Sequence, residues 1–201
     1  MRALSDFMNL FFLNLVTLLC SVPIVTAGAA LSSMHYCIWK ILEGEDDKLV
    51  RKFFAAFKGN LRSSTPVWLV VFALAAFFAF DLYVLPRQGG GELKPLMIGV
   101  YVGWIILLAL FVWLFPLLAK FENRFSATWK NALILAVGKF PRTIAMMAIT
   151  AVIPVVLVLD LHLLPLLFVC GVSLPGYLCA LFYRPVLQKI IDSSEKKEEE
   201  A

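Results

Sequence analysis

Residues 7–39, FMNLFFLNLVTLLCSVPIVTAGAALSSMHYCIW, decide the fold: 33 positions pass without one formally charged side chain. A helix needs about 20 mostly apolar residues to cross a hydrocarbon core of about 30 Å. Three further uncharged stretches follow, Pro66–Phe80, Pro95–Ala119 and Leu161–Tyr183, and Thr143–Leu159 is shorter but equally apolar. A chain of 201 residues cannot bury five such helices inside one another, and water does not solvate that much apolar surface. The sequence therefore predicts an all-α fold, a polytopic transmembrane helical bundle.

Composition agrees. Apolar residues make up 61% of the chain and charged residues 16%, against about 45–50% and 25% in soluble domains. The net charge of +4 sits in the segments between spans, not on one folded face, so it is no signal for nucleic acid. The first apolar stretch is far longer than the core of a signal peptide and reads as retained. Cys20, Cys37, Cys170 and Cys179 all fall in apolar segments, without a Cys-x-x-Cys pair or a His at zinc-ligand spacing. They read as small packing residues, and no metal or cofactor is expected.

The second span is expected from about Thr65 to Leu85, the third from Pro95 to Leu118, the fourth from Thr143 to Leu159 and the fifth from Leu163 to Phe182. Lys and Arg orient them. Segment 40–62 holds six, segment 120–142 five and the C-terminal region four, against two in 87–94 and none in 160–162. Positive residues stay on the cytoplasmic side. Both long loops and the C-terminus are therefore expected in the cytoplasm, in a multi-pass plasma-membrane protein.

The first stretch has two readings. A continuous helix over it would be about 50 Å long, and Pro23 removes a backbone donor near its middle. One reading is a broken single pass with the N-terminus outside, giving five spans. The other is a tight hairpin of two short helices, giving six spans with both termini inside. Arg2 favours the hairpin. The lack of a polar turn favours the single pass, and five spans is the reading taken. Residues 1–185 form one transmembrane domain. Residues 186–201 form a tail whose acidic end is expected to be disordered.

Each long loop is expected to carry an elbow leading into the next span. Ala56–Ser63 aligns with Ala136–Thr143 at an offset of 80, a weak internal repeat. In the first elbow, Leu49, Val50, Phe53, Phe54, Phe57 and Leu61 share one helical face while Arg51, Lys52 and Lys58 lie elsewhere. That pattern fits a helix at the inner leaflet or against a partner subunit. Phe53, Phe54, Phe57, Lys58, Arg62 and Arg142 are the candidate lipid or partner contacts.

Several of these residues carry a resemblance. Leu13-Asn14-Leu15 with Pro23–Ala29, Phe53–Asn60, Trp129–Leu133 and Lys139–Thr143 resemble the YesL family of small bacterial membrane proteins, over about residues 5–185. The resemblance implies a plasma-membrane protein often encoded beside carbohydrate ABC importers and two-component sensors. It implies no activity.

No enzyme constellation is visible, since hydrolase, P-loop, zincin and dinucleotide motifs are absent. Ionisable groups at membrane depth are functional candidates. Asp81, Asp160 and His162 form a candidate polar site at the outer interface, read either as interfacial anchors or as a substrate or partner site. Asn9, Asn14 and Thr17 are placed to bond across helices, and Gly99-x-x-x-Gly103 fits a close crossing. Trp39, Trp68, Trp104 and Trp129 lie near span ends, as an aromatic belt requires. The expected function is that of an accessory or interaction protein, with the bilayer and the permease subunits of a sugar ABC importer as partners. The alternative is a small transporter or channel acting as a homo-oligomer.

This topology is checked by cysteine labelling. A Cys replacing Lys48 should resist an impermeant reagent added outside, and a Cys replacing Gly90 should react with it. Labelling at position 48 overturns the orientation.

Overall fold

The computed structural model describes residues 2–45, 47–87, 94–121, 124–159, 168–169 and 171–199. Among them the regular elements are all helical. They are α1 (Arg2–Ser21), α2 (Ala27–Glu43), α3 (Leu49–Val84), α4 (Lys94–Lys120), α5 (Phe125–Gly138), α6 (Phe140–Leu159) and α7 (Ser173–Glu199), with 3-10 turns at Ile24–Thr26 and Leu85–Arg87. A helical bundle is thus what the sequence forms.

Five spans are not reproduced. Two helices are long and apolar enough to cross a membrane, Leu49–Arg87 and Pro95–Lys120. The pair α5 and α6, bent by 103°, makes a third if counted as one broken span. The first stretch fails because it divides into two helices, and the apolar part of α1, Ser5–Ser21, is short. The expected fifth span begins on residues outside those described, and α7 starts only at Ser173.

Pro23 adopts an extended conformation and ends α1. The break frees carbonyls, and the Thr26 hydroxyl donates to the Cys20 or the Pro23 carbonyl, at 2.7 and 2.9 Å. Asn9, Leu13 and Val16 of α1 line one cavity with Lys48, Leu49 and Phe53, which follow α2 directly. So α1 runs back along α2, and the hairpin replaces the broken single pass.

The core is built around α2, eleven of whose residues are buried. Small side chains put it there. A Cβ on Gly28 would collide with Trp68 Cβ and lie 2.8 Å from the Ser64 carbonyl oxygen. One turn on, Ser32 and Ser64 share a hydrogen bond of 2.9 Å between α2 and α3. On another side, a Cβ on Gly176 of α7 would lie 2.9 Å from Met34 Cε. Gly44, at φ 79°, closes α2 in the left-handed conformation that glycine adopts most easily.

The first elbow is not a separate surface helix. Helix α3 runs unbroken for 36 residues through Pro66, about 54 Å at 1.5 Å per residue. Phe53, expected to face lipid or a partner, is fully buried. It stacks on Phe57 at 6.1 Å and lines one cavity with Leu13 and Val16 of α1. The second elbow is real. Helix α5 ends at Gly138, and Pro141 falls in the first turn of α6, where its missing donor costs least. The position matching Pro141 in the supposed repeat is Leu61, which continues a helix. The two segments therefore differ in backbone, and the repeat is not a structural one.

The other expectations divide similarly. Trp39 is a core residue and not part of a belt. Gly103 meets the Phe78 ring, whose Cζ would lie 2.6 Å from an added Cβ, but nothing crosses at Gly99. Helix α7 continues to Glu199, so the acidic tail is helical that far. Its Asp, Glu and Lys residues recur at helical i,i+4 spacing, as at Asp192 and Lys196.

Gly28→Ala should destabilise the bundle by about 1–3 kcal/mol through overpacking. Gly59 has open space around it, so Gly59→Ala should be neutral or stabilise by up to about 1 kcal/mol. Thermal midpoints of the two variants in detergent test the contrast.

Candidate functional site

The helix ends that carry the basic segments converge at one end of the molecule, around Trp39. Trp39 lies near the C-terminus of α2, stacked against Tyr183 of α7 at 6.3 Å. Lys120, the last residue of α4, holds its ammonium 4.3 Å from the centre of the Trp39 ring, and the Arg184 guanidinium lies 5.8 Å away. A cation over an indole face is attracted by the ring quadrupole. The indole N–H donates to the Glu43 carboxylate.

Glu43 collects charge from two helices. Lys40 binds it at 2.9 Å, and Lys120 lies 3.9 Å from its other oxygen. Lys40 also reaches Glu45 at 2.8 Å, and Lys52 lies 3.9 Å from the same Glu45 oxygen. Arg184 donates to the Leu42 carbonyl at 3.1 Å, satisfying the end of α2. Four cations thus surround two carboxylates. Deeper in, His35 and Tyr183 share a hydrogen bond of 3.1 Å.

The electrostatics follow from these partners. Hydrogen bonds from Lys40 to Glu45 and Glu43 raise the Lys40 ammonium above its ordinary range. Burial pushes the Glu43 carboxyl up, but the hydrogen bonds from Lys40 and Trp39 and the charge of Lys120 outweigh it and hold Glu43 below its ordinary value of 4.5. Both groups are charged at neutral pH. The cluster offers no nucleophile with an adjacent base. It ties α2, α4 and α7 together and leaves an excess of positive charge at that end.

Beside it lies a notch of about 550 Å³ at the α5–α6 elbow, lined by Lys139, Arg142 and Lys189. Thr143 fixes this elbow. Its hydroxyl donates to the Ala136 or Lys139 carbonyl, at 3.0 and 3.2 Å, and accepts from Trp113 of α4 at 2.9 Å.

Of the residues proposed from sequence, Arg142 lines this notch. Phe53 is buried, Phe57 half-buried, and Phe54, Lys58 and Arg62 are exposed along α3. Asp81 is half-buried near the far end of α3. Asp160 and His162 lie outside the described residues. Asn14 does bond across helices: its amide donates to Phe168 O, and its oxygen accepts from the Val172 and Ser173 N–H groups at the start of α7. Thr17 instead bonds within its own helix, to Leu13 O. The Trp39–Glu43–Lys120 node was missed. Its only sequence signal is the i,i+3 spacing of Lys40 and Glu43. Among the described residues, no three His, Cys, Asp or Glu side chains converge as a metal site.

Residues 7–82 match the family model described as a protein of unknown function, DUF624. No curated protein and no solved structure matches the chain. The matched region spans α1 to nearly the end of α3, the segment that supplies the Gly28 contact.

Because Glu43 is held below its ordinary value, the stability it contributes is present above about pH 4.5 and is lost as pH falls through its folded value. Glu43→Gln should lower stability at pH 7 by about 1–2 kcal/mol, and the difference from wild type should shrink as pH falls below 4.5. Thermal midpoints across pH check this. An unchanged difference at low pH would show that the carboxylate charge is not the cause.

Proposed function

We propose that this chain is a multi-pass membrane protein of the plasma membrane that acts by association with other membrane subunits, its basic end and C-terminus in the cytoplasm. The observation that supports it most is how the bundle interior is filled. Trp113, Phe115, Met146 and Phe53 occupy the core. The buried polar groups of Asn14, Ser32, Ser64 and Thr143 are bonded to the protein itself. They act as glue between helices and do not line a route. A solute path needs polar groups to replace water, and the cavity between α3, α4 and α6 is lined mainly by apolar side chains such as Val71, Phe72, Leu107 and Phe111.

The outer faces favour association. Leu69, Phe72, Phe77 and Phe80 of α3 and Ile98, Ile105 and Ile106 of α4 are exposed. They suit lipid or the helices of another subunit. The resemblance to the YesL family, which the DUF624 match supports over residues 7–82, makes the permease of a carbohydrate ABC importer the first partner to test.

Affinity purification from native membranes should recover importer subunits with the chain in fixed ratio. Reconstituted alone in liposomes, it should give no sugar or ion uptake above protein-free vesicles. Saturable uptake by the chain alone, abolished by Asp81→Asn, overturns the reading and favours a transporter.

A further inference from the structure

The notch at the α5–α6 elbow has a composition that the bundle does not need for its own packing. Lys139 and Arg142 come from the elbow and Lys189 from α7, and all three line one cavity of about 550 Å³. Among the described residues, none of the three has a carboxylate partner. The nearby Asp192 is engaged by Gln188 at 3.0 Å. Like charges gathered without counter-ions repel one another, and a bound anion relieves that repulsion. The start of α6 adds the positive end of its helix dipole.

The rest of the notch is apolar. Leu135, Pro141, Val186 and Ile190 complete it. Leu135 and Ile190 are shared with a second, mainly apolar cavity of about 240 Å³, lined also by Leu117, Phe121, Asn131 and Ile134. A cationic mouth thus opens beside an apolar slot. The elbow also exposes Leu133, Ile134, Val137 and Phe140, each by more than half. Such exposed apolar side chains beside basic ones suit the boundary between headgroups and acyl chains.

We infer that this notch binds the phosphate of an anionic phospholipid headgroup, with an acyl chain lying in the adjoining apolar cavity. Basic pockets between helices on the cytoplasmic side recognise lipid headgroups in this way. The site is independent of the association proposed above. It lies at the second elbow and includes Arg142, one of the candidate lipid or partner contacts read from the sequence.

The full chain, delipidated in a neutral detergent, is titrated separately with dioleoylphosphatidylglycerol, dioleoylphosphatidylcholine and inorganic phosphate, and bound species are counted by native mass spectrometry. Phosphatidylglycerol should bind about tenfold more tightly than phosphatidylcholine, and the triple variant K139Q/R142Q/K189Q should lose that preference. K189Q alone, at an exposed position on α7, should weaken it about fivefold and serves if the triple variant does not fold. K130Q, outside the notch, should leave it unchanged. Equal binding of the two lipids, or a preference surviving in K189Q and the triple variant, overturns the site. Inorganic phosphate binding as tightly as phosphatidylglycerol overturns the assignment to lipid.

Discussion

The close approach of α2 to α3 at Gly28 is the contact on which the rest of the bundle depends. Lipid tails are as apolar as leucine, so helices in a bilayer gain little by hiding from them. Association rests on van der Waals contact and on hydrogen bonds between helices, and small residues let the backbones approach. Ala27-Gly28-Ala29-Ala30 and Ser32-Ser33 form such a surface, and all are buried. With α3 seated on one side and α7 on another, α2 becomes the axis of the molecule. Helix α1 then folds back along it, and Trp39 is carried into the interior at its far end.

The basic end follows from the same arrangement. Lys40, Lys120 and Arg184 belong to distant parts of the sequence, yet all gather around Trp39 and Glu43 because the ends of α2 and α4 meet the middle of α7. Two carboxylates do not neutralise the cations there, and the elbow notch beside them adds three more basic residues. Such a surface suits an anionic membrane face, and it leaves the α3 and α4 flanks free for other helices.

The helical class and the run of α4 were legible because uncharged length and Lys/Arg placement are local signals. The break at Pro23 was legible too, but its direction was not: nothing in residues 21–28 distinguishes a kink from a reversal. The hairpin is set by where α1 packs, a tertiary matter. Phe53 was misread for a related reason. Its amphipathic spacing marks one helical face, but only Leu49 and Phe53 of that face are buried in the bundle, while Val50 and Phe54 stay exposed. The repeat misled because matching residue types hid one decisive difference, Pro141 against Leu61. Asn14 was marked as a cross-helix donor, but its partner at the start of α7 lies about 160 positions away, beyond any reading of spacing. Among the candidate site residues, Arg142 was legible from its charge. Lys139 and Lys189 were not, because only the bend at the elbow brings them together.

The packing of α2 on α3 is tested most directly by a cysteine pair replacing Ser32 and Ser64, whose hydroxyl oxygens lie 2.9 Å apart. With Cys20, Cys37, Cys170 and Cys179 changed to Ala, mild oxidation of native membranes should join S32C to S64C within one chain. The same pair with Gly28→Leu added should cross-link poorly, since a side chain there pushes the helices apart. Absence of the S32C–S64C disulfide in folded protein, or equal cross-linking with and without the Gly28 change, would contradict α2 as the axis of the bundle.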